Sequence, residues 1–193
     1  MDKNKKPSTG FERESPRKCA LVVGVTGIQG TTLAARLINQ GWNVTGLARR
    51  YQSDLPNVSS VLVDLNDADA TQAALADVHP THVFFTCWSR QATEAENCTV
   101  NGAMLRNLLA AVENRKSLRH VALVTGLKHY LGPFEAYALS KPDTPFREEQ
   151  ERLPYENFYY DQEDILFESA SRAGFSWSVH RPHTIIGWAI GNC

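Results

Sequence analysis

A tyrosine and a lysine four residues apart are the first candidates for chemistry in this sequence. Tyr137 and Lys141 stand in the stretch YALSK, with Ser140 between them. On a helix this spacing places both side chains on one face, where the ammonium could hold the phenol or make it more acidic. Pro142 follows Lys141 at once, however, and the residue before a proline avoids helical geometry. We therefore predict that this pair has no helix to carry it and is not the active site.

A second tyrosine stands in a segment that has the periodicity of a helix. Tyr159 opens the stretch YYDQEDILFESASRAG, but the residue four positions later is Glu163 rather than a lysine. A replacement cation is available in Lys128, which follows Thr125 and Gly126 at the end of a predicted strand. Tyr160, which is followed four positions later by Asp164, is an equal candidate, so the residues alone leave two candidate phenols beside the candidate cation Lys128.

Strands that alternate with helices must position these groups. The chain has 193 residues, 42% hydrophobic and 21% charged, which suits one domain with a sizeable core. We predict a doubly wound, mostly parallel α/β sheet from residue 19 to 193, after a polar segment, residues 1–18, that we expect to be disordered. The predicted strands are 19–25, 43–50, 59–65, 81–88, 119–126 and 176–182, and the predicted helices are 30–41, 67–78, 97–115 and 159–174.

Three glycines follow the first predicted strand. Gly24, Gly27 and Gly30 have the spacing G-x-x-G-x-x-G and lie just before a helix. Glycines let the backbone turn sharply and approach a pyrophosphate, whose charge then rests on the helix N-terminus. In this strand-turn-helix context the motif predicts a Rossmann-type dinucleotide site, although a tight turn that uses glycine only for packing would have the same spacing.

The second predicted strand ends in two arginines. An acidic residue at this place would bind a ribose 2′-hydroxyl, whereas arginine accommodates a 2′-phosphate. Arg49 and Arg50 therefore favour NADPH over NADH. Asp64 ends the third strand and could receive the adenine amino group or cap the following turn.

Several motifs together resemble one enzyme family. The stretches TGLKHYLGPFE, NFYYDQEDILFE and WSVHRPHTIIG, with GVTGIQG and ARR, resemble the progesterone 5β-reductase/iridoid synthase-like enzymes, which are atypical extended short-chain dehydrogenases. The resemblance implies NADPH-dependent reduction of the activated C=C bond of an enone or enal. It further implies that Tyr159 and Lys128 stabilise the enolate and that Phe134 lies near the substrate. The expected cofactor-binding residues are Gly24, Thr26, Gly27, Ile28, Gln29, Gly30, Arg49, Arg50, Asp64, Leu65, Thr86, Trp88, Thr125, Pro182 and Ile185.

The family continues beyond the sixth strand into a C-terminal region that closes over the substrate. This chain stops soon after that strand, so we expect the substrate-binding region to be largely missing. Two alternatives stay open: an extended short-chain carbonyl reductase or epimerase that uses Tyr137 and Lys141, and a non-catalytic NADPH-binding sensor.

Composition and motifs exclude other classes of function. The net charge of -1 offers no electrostatic footprint for nucleic acid, and no apolar run approaches the roughly 20 residues of a membrane span. The four cysteines lack metal-site spacing, so no metal is expected. The expected partner is a small enone or enal. The protein itself is expected in the cytoplasm, and a homodimer is left open.

Overall fold

Parallel strands form one sheet in the computed structural model, which describes residues 18–50, 54–139 and 141–188. The spatial order is β3-β2-β1-β4-β5-β6, and each neighbouring pair runs parallel. The doubly wound α/β sheet predicted from the sequence is thereby confirmed. The strands are β1 (Cys19–Val23), β2 (Asn43–Ala48), β3 (Val58–Leu62), β4 (His82–Phe85), β5 (His120–Val124) and β6 (Ser176–His180).

Helices cover the two faces of the sheet unequally. Helix α1 packs against β1 and β2 on one face, while α3 contacts both α2 and α6 over the other face. The larger apolar cluster lies under these three helices, around Phe85, Leu105 and Leu123. The helices are α1 (Ile28–Asn39), α2 (Ala68–Ala74), α3 (Glu94–Val112), α4 (Lys128–Leu131), α5 (Phe134–Leu139) and α6 (Phe158–Ala173).

The central strand β1 shows why this sequence forms a parallel sheet. Its residues Ala20–Val23 are at most 2% exposed, because β1 lies between β2 and β4 and is covered on both faces. A strand buried on both faces must be continuously apolar, as the run CALVV is. The edge strand β6, SWSVH, is instead polar and largely exposed.

Helix α3 begins three residues earlier than the sequence predicted. Thr93 accepts a hydrogen bond from the Glu96 N–H, and the Glu96 carboxylate accepts one from the Thr93 N–H. This reciprocal pair is a capping box, which satisfies donors that the first helical turn leaves unpaired. The helix therefore starts at Glu94 and brings that side chain into the structured part of the chain.

The prediction that Tyr137 has no helix is wrong. Tyr137 lies in the short helix α5, which ends at Leu139. Lys141 lies beyond the end of α5, outside any helix, so the pair does not share one helical face. Lys141 comes directly before Pro142 and lies outside a helix, as expected for a residue that precedes a proline. Residues 1–17, most of the predicted leader, lie outside the described residues.

None of the described helices is both long and apolar enough to cross a membrane. The 19-residue α3 reaches the necessary length but carries charged side chains along it.

Two glycine-to-alanine substitutions should have opposite effects on stability. A methyl group on Gly30 would come within 2.1 Å of the Gly24 carbonyl oxygen, and backbone cannot move away cheaply. We expect Gly30→Ala to lower the free energy of unfolding by about 3 kcal/mol. In the control Gly102→Ala, within α3, the added methyl finds no atom closer than 3.4 Å. That variant should gain about 0.5–1 kcal/mol from helix propensity. Urea unfolding checks both, and a loss of stability in Gly102→Ala equal to that in Gly30→Ala would contradict this account.

Candidate functional site

A cleft of about 400 Å³ lies at the carboxyl ends of the strands, where the sheet order reverses between β1 and β4. This is the position at which open α/β sheets bind ligands. Most of the residues predicted for the cofactor line it. The lining consists of Gly24, Thr26, Gly27, Ile28, Gln29, Leu47, Ala48, Arg49, Arg50, Val63, Leu65, Thr86, Cys87, Trp88, Ser89, Met104, Val124, Thr125, Tyr159 and Ile185.

The glycine turn between β1 and α1 has the shape that a pyrophosphate needs. Gly24 has φ +81°, a left-handed conformation that other residues rarely adopt. The close approach of Gly30 to the Gly24 carbonyl brings the start of α1 onto the end of β1. No side chain caps α1 and its first turn carries no acidic residue, so its N–H groups can receive an anion. The residues present therefore fit the pyrophosphate of a dinucleotide.

Two arginines stand at the end of β2, on the rim of the cleft. Arg49 and Arg50 are both exposed and both line it. Asp64, the other candidate for the adenosine end, caps a turn: its Oδ1 accepts hydrogen bonds from the N–H and the side-chain amide of Asn66, each 3.0 Å long. Of its two predicted roles the structure shows the turn cap, while the neighbouring Leu65 lines the cleft.

Tyr159 stands at the opposite end of the cleft. Asn157 caps helix α6 by accepting a 3.1 Å hydrogen bond from the Tyr159 N–H, which fixes the start of the helix. The phenol lies against Gly126, just after β5: a methyl group placed there would be 3.0 Å from the hydroxyl oxygen. Burial and the Glu94 carboxylate raise the pKa of Tyr159 above its ordinary value. At neutral pH the phenol is therefore a hydrogen-bond donor.

Lys128 opens helix α4 and forms an ion pair with Glu94 of α3. Its ammonium also lies 5.3 Å from the centre of the Phe158 ring. The side chain is not among the residues that line the cleft, so the structure places Lys128 beside the site rather than in its wall. Sequence reasoning missed Glu94, because nothing in the spacing of the chain connects it with Lys128; the T-E-A-E capping box could have located the helix but not the pairing.

The loop after β4 is held by a buried asparagine. Asn101 of α3 accepts a 2.7 Å hydrogen bond from the Ser89 N–H and donates one of 2.9 Å to the Ser89 carbonyl. Trp88, next in the loop, stacks on Phe158 with ring centres 5.6 Å apart. Helix α3 thus positions one wall of the cleft, to which Trp88 belongs.

Glu163 occupies the place four residues after Tyr159, and it acts as an anchor for three segments. Its carboxylate is 2% exposed and accepts hydrogen bonds from Arg181 at 2.9 Å and Arg152 at 3.2 Å. His129 Nδ1 lies 3.3 Å from the same carboxylate. Burial lowers the pKa of His129 in spite of the raising influence of Glu163. The cluster joins α4, the loop before α6 and the end of β6.

Other predicted residues lie elsewhere. Pro182 lines a second hollow, on the α1 face of the sheet, rather than the cleft. Phe134 begins α5, but its side chain lies outside the described part of the structure. Tyr137 is 42% exposed and does not line the cleft, and Lys141 is exposed as well. Among the described residues, no three His, Cys, Asp or Glu side chains are grouped so as to hold a metal ion.

Glu163→Gln should destabilise the protein strongly. The substitution leaves the Arg181 and Arg152 guanidinium groups without their shared carboxylate, and breaking a buried ion pair on one side costs about 3 kcal/mol. Glu168→Gln on the same helix is the control, because Glu168 is 80% exposed in its pair with Arg172 and should contribute less than about 1 kcal/mol. Denaturant unfolding of both variants measures the difference. Equal stability of the two would show that Glu163 is not an anchor.

Comparison with known sequences agrees with the fold and the motifs. The model of the NAD dependent epimerase/dehydratase family matches residues 20–188. The chain is 44% identical to "(S)-8-oxocitronellyl enol synthase ISY1" of Nepeta racemosa and 43% identical to "3-oxo-Delta(4,5)-steroid 5-beta-reductase" of Arabidopsis thaliana. These alignments cover 92% and 95% of this chain but 50% and 49% of the relatives. The chain thus spans about half the length of these relatives, and the resemblance predicted from its motifs is confirmed.

Solved structures show the same fold at low sequence identity. A putative epimerase from Burkholderia cenocepacia matches with a TM-score of 0.69 and 24% identity, over 88% of this chain and 55% of that one. The Bordetella bronchiseptica enzyme WbmH, solved in complex with NAD+, matches with a TM-score of 0.70 and 18% identity, over 92% and 59% of the two chains.

Proposed function

Because the chain belongs to the NAD dependent epimerase/dehydratase family, we propose that it is the cofactor-binding part of an NADPH-dependent reductase of enones or enals. The relatives named above support an oxidoreductase: one is called a steroid 5-beta-reductase and another an enol synthase. Reduction of an activated C=C bond is the more specific part of the proposal. It rests on the site together with the names of these two relatives.

One observation carries the proposal. The Tyr159 hydroxyl and the start of α1 stand in the same cleft, so a dinucleotide whose pyrophosphate rests on α1 extends toward the phenol. Thr125, buried at the end of β5, lies on this path and is held by its N–H donating a 2.8 Å hydrogen bond to the His180 carbonyl. A substrate carbonyl bound at the end of this path would meet a phenolic donor.

Tyr159 and Lys128 have different roles in the proposed reaction. NADPH, when bound, supplies a hydride to the carbon β to the carbonyl. The Tyr159 phenol donates a hydrogen bond to the carbonyl oxygen and stabilises the negative charge that develops there, an effect typically worth a few kcal/mol. Lys128 contributes positive charge from beside the site and, through its pairing with Glu94, is held in a fixed place.

Two other functions compete with this one. A carbonyl reductase or epimerase that used Tyr137 and Lys141 would need both side chains at the cleft, and neither lines it. An NADPH-binding sensor needs the dinucleotide site without turnover, and an enone assay distinguishes it from a reductase. A cytoplasmic location and a homodimer stay predictions from the sequence.

Replacing each tyrosine in turn tests which phenol acts. The assay is NADPH oxidation with 2-cyclohexen-1-one by the 193-residue chain. Tyr159→Phe removes the donor to the developing oxyanion and should lower kcat/KM about a hundredfold or more. Tyr137→Phe makes the same chemical change outside the cleft and should leave kcat/KM within about twofold.

The same assay can reject the proposal in two ways. Collapse of turnover in Tyr137→Phe but not in Tyr159→Phe would establish the YALSK site. Binding of NADPH by a folded chain that turns over no enone would favour the sensor and move the reductase proposal to a longer chain.

Preference for NADPH should depend on the arginine pair. Removing both guanidinium groups in Arg49→Ala/Arg50→Ala eliminates charge-assisted contacts to a 2′-phosphate and should weaken NADPH binding about tenfold to a hundredfold. Affinity for NADH, which lacks that phosphate, should change little. Arg36→Ala, an exposed arginine in the last turn of α1, is the matched control for loss of positive charge. Fluorescence titration measures the affinities, and equal losses for NADPH and NADH would contradict a 2′-phosphate role.

A further inference from the structure

We propose that Glu94 is a positioning residue that ties Lys128 to the start of helix α6, next to Tyr159, and sets the electrostatic surroundings of the phenol. The inference deepens the proposed function and rests on it for its meaning in turnover. Its structural part rests on contacts among helices α3, α4 and α6.

The two oxygens of the Glu94 carboxylate bind two different elements. One oxygen pairs with the Lys128 ammonium at the start of α4. The other accepts a 2.8 Å hydrogen bond from the Phe158 N–H, at the first residue of α6. Asn97 adds a third contact by donating a 3.2 Å hydrogen bond to the oxygen that faces Lys128. A single carboxylate on α3 therefore sets the distance between the cation and the residue before Tyr159.

Asn157 forms a second link between the same two elements. Its side-chain amide donates a 3.2 Å hydrogen bond to the Lys128 carbonyl, while its side-chain oxygen accepts from the Tyr159 N–H. Helices α4 and α6 are thus joined both through Glu94 and through Asn157. Because Asn157 holds the backbones together, removing the charge of Glu94 should leave the local fold in place.

Placement of a carboxylate here has an electrostatic consequence for the phenol. Burial raises the pKa of Glu94, but the hydrogen bonds from Lys128 and the Phe158 N–H outweigh it and hold the pKa below its ordinary value. Glu94 is therefore ionised at neutral pH, and its negative charge, added to burial, raises the pKa of Tyr159. A lysine on the same helix face as a tyrosine would have the opposite effect on the phenol.

A neutral phenol suits stabilisation of an enolate better than a phenolate does. A phenolate has no proton to donate and would repel the oxygen as negative charge develops on it. With its pKa raised, Tyr159 stays a donor through neutral pH and further into alkaline solution than an ordinary tyrosine.

Other charged and titratable groups surround the cleft. Lys128 lies beside it on α4, and Arg49 and Arg50 stand on its rim after β2. The Cys87 thiol, after β4, has its pKa raised to about 12 by burial and stays uncharged. Besides burial, the Glu94 carboxylate raises the pKa of Tyr159, so removal of its charge should lower that pKa.

Ultraviolet titration of Tyr159 tests the inference without any substrate. The absorbance of the phenolate is followed from neutral to alkaline pH in each protein and in its Tyr159→Phe counterpart, so that the difference isolates one tyrosine among the 6 in the chain. Circular dichroism at each pH confirms that the proteins stay folded. Glu94→Gln should lower the pKa of Tyr159, because it removes the charge but keeps an acceptor for the Phe158 N–H.

Two further variants test whether the charge of Glu94 causes the change in the pKa of Tyr159. Lys128→Met leaves the Glu94 carboxylate uncompensated and should raise the pKa of Tyr159. Glu96→Gln changes an exposed acid of the same helical turn, one that bonds the Thr93 N–H, and should leave Tyr159 unchanged. In enone turnover, Glu94→Gln should move the alkaline limit of kcat to lower pH, which loss of packing alone would not do.

The outcomes separate this inference from the proposed function. The same Tyr159 titration in Glu94→Gln, Glu96→Gln and the unchanged chain would overturn the role of Glu94. Unchanged turnover in Tyr159→Phe would overturn the proposed function, whatever the titration shows. Shifts of opposite sign in Glu94→Gln and Lys128→Met would support the inference even in a chain that turns over no substrate.

Discussion

The reversal of strand order beside β1 is the constraint on which the rest of the structure depends. The strand β1 pairs in parallel with β2 on one side and with β4 on the other. The loops that follow these three strands therefore all lie at the carboxyl ends of the strands. Burial on both faces requires β1 to be apolar throughout, so the polar groups next to β1 lie beyond its ends. The close approach of Gly30 to the Gly24 carbonyl then places the start of α1 beside these loops.

Ionic contacts between helices organise the other half of the site. Glu94 joins α3 to α4 and α6, and Glu163 joins α6 to α4 and to the end of β6. Both carboxylates bind more than one partner, so each fixes relations between segments far apart in the sequence. Tyr159 lies on the first turn of α6, where Asn157 caps the helix. Its position therefore follows from several modest interactions rather than from one.

Much of the fold follows from sequence patterns with a local cause. The apolar runs of β1 and β4, the glycine turn and the helix-ending Gly174 predict elements that the structure contains, since each pattern acts over a few residues. Element ends are less predictable: α3 starts at its capping box, and α5 includes Tyr137 in spite of Pro142 further on. A proline restricts the residue before it, which affects Lys141, but not a tyrosine five positions away.

The site could be predicted only in part, for the same physical reason. Residues that follow strand ends, such as Arg49, Thr86 and Thr125, line the cleft because topology brings strand ends together. The pairing of Glu94 with Lys128 spans 34 positions and has no periodic or motif signal, so it needed the structure. The family resemblance pointed to Tyr159 and Lys128, and the geometry supports distinct places for them: one in the wall of the cleft, the other beside it.

A crystal structure of the chain with bound NADPH tests the central claim most directly. The account predicts the pyrophosphate on the N-terminus of α1, the 2′-phosphate at Arg49 and Arg50, and the nicotinamide ring facing the Tyr159 hydroxyl. A nicotinamide ring that lay away from Tyr159, or a pyrophosphate bound elsewhere than on α1, would contradict it.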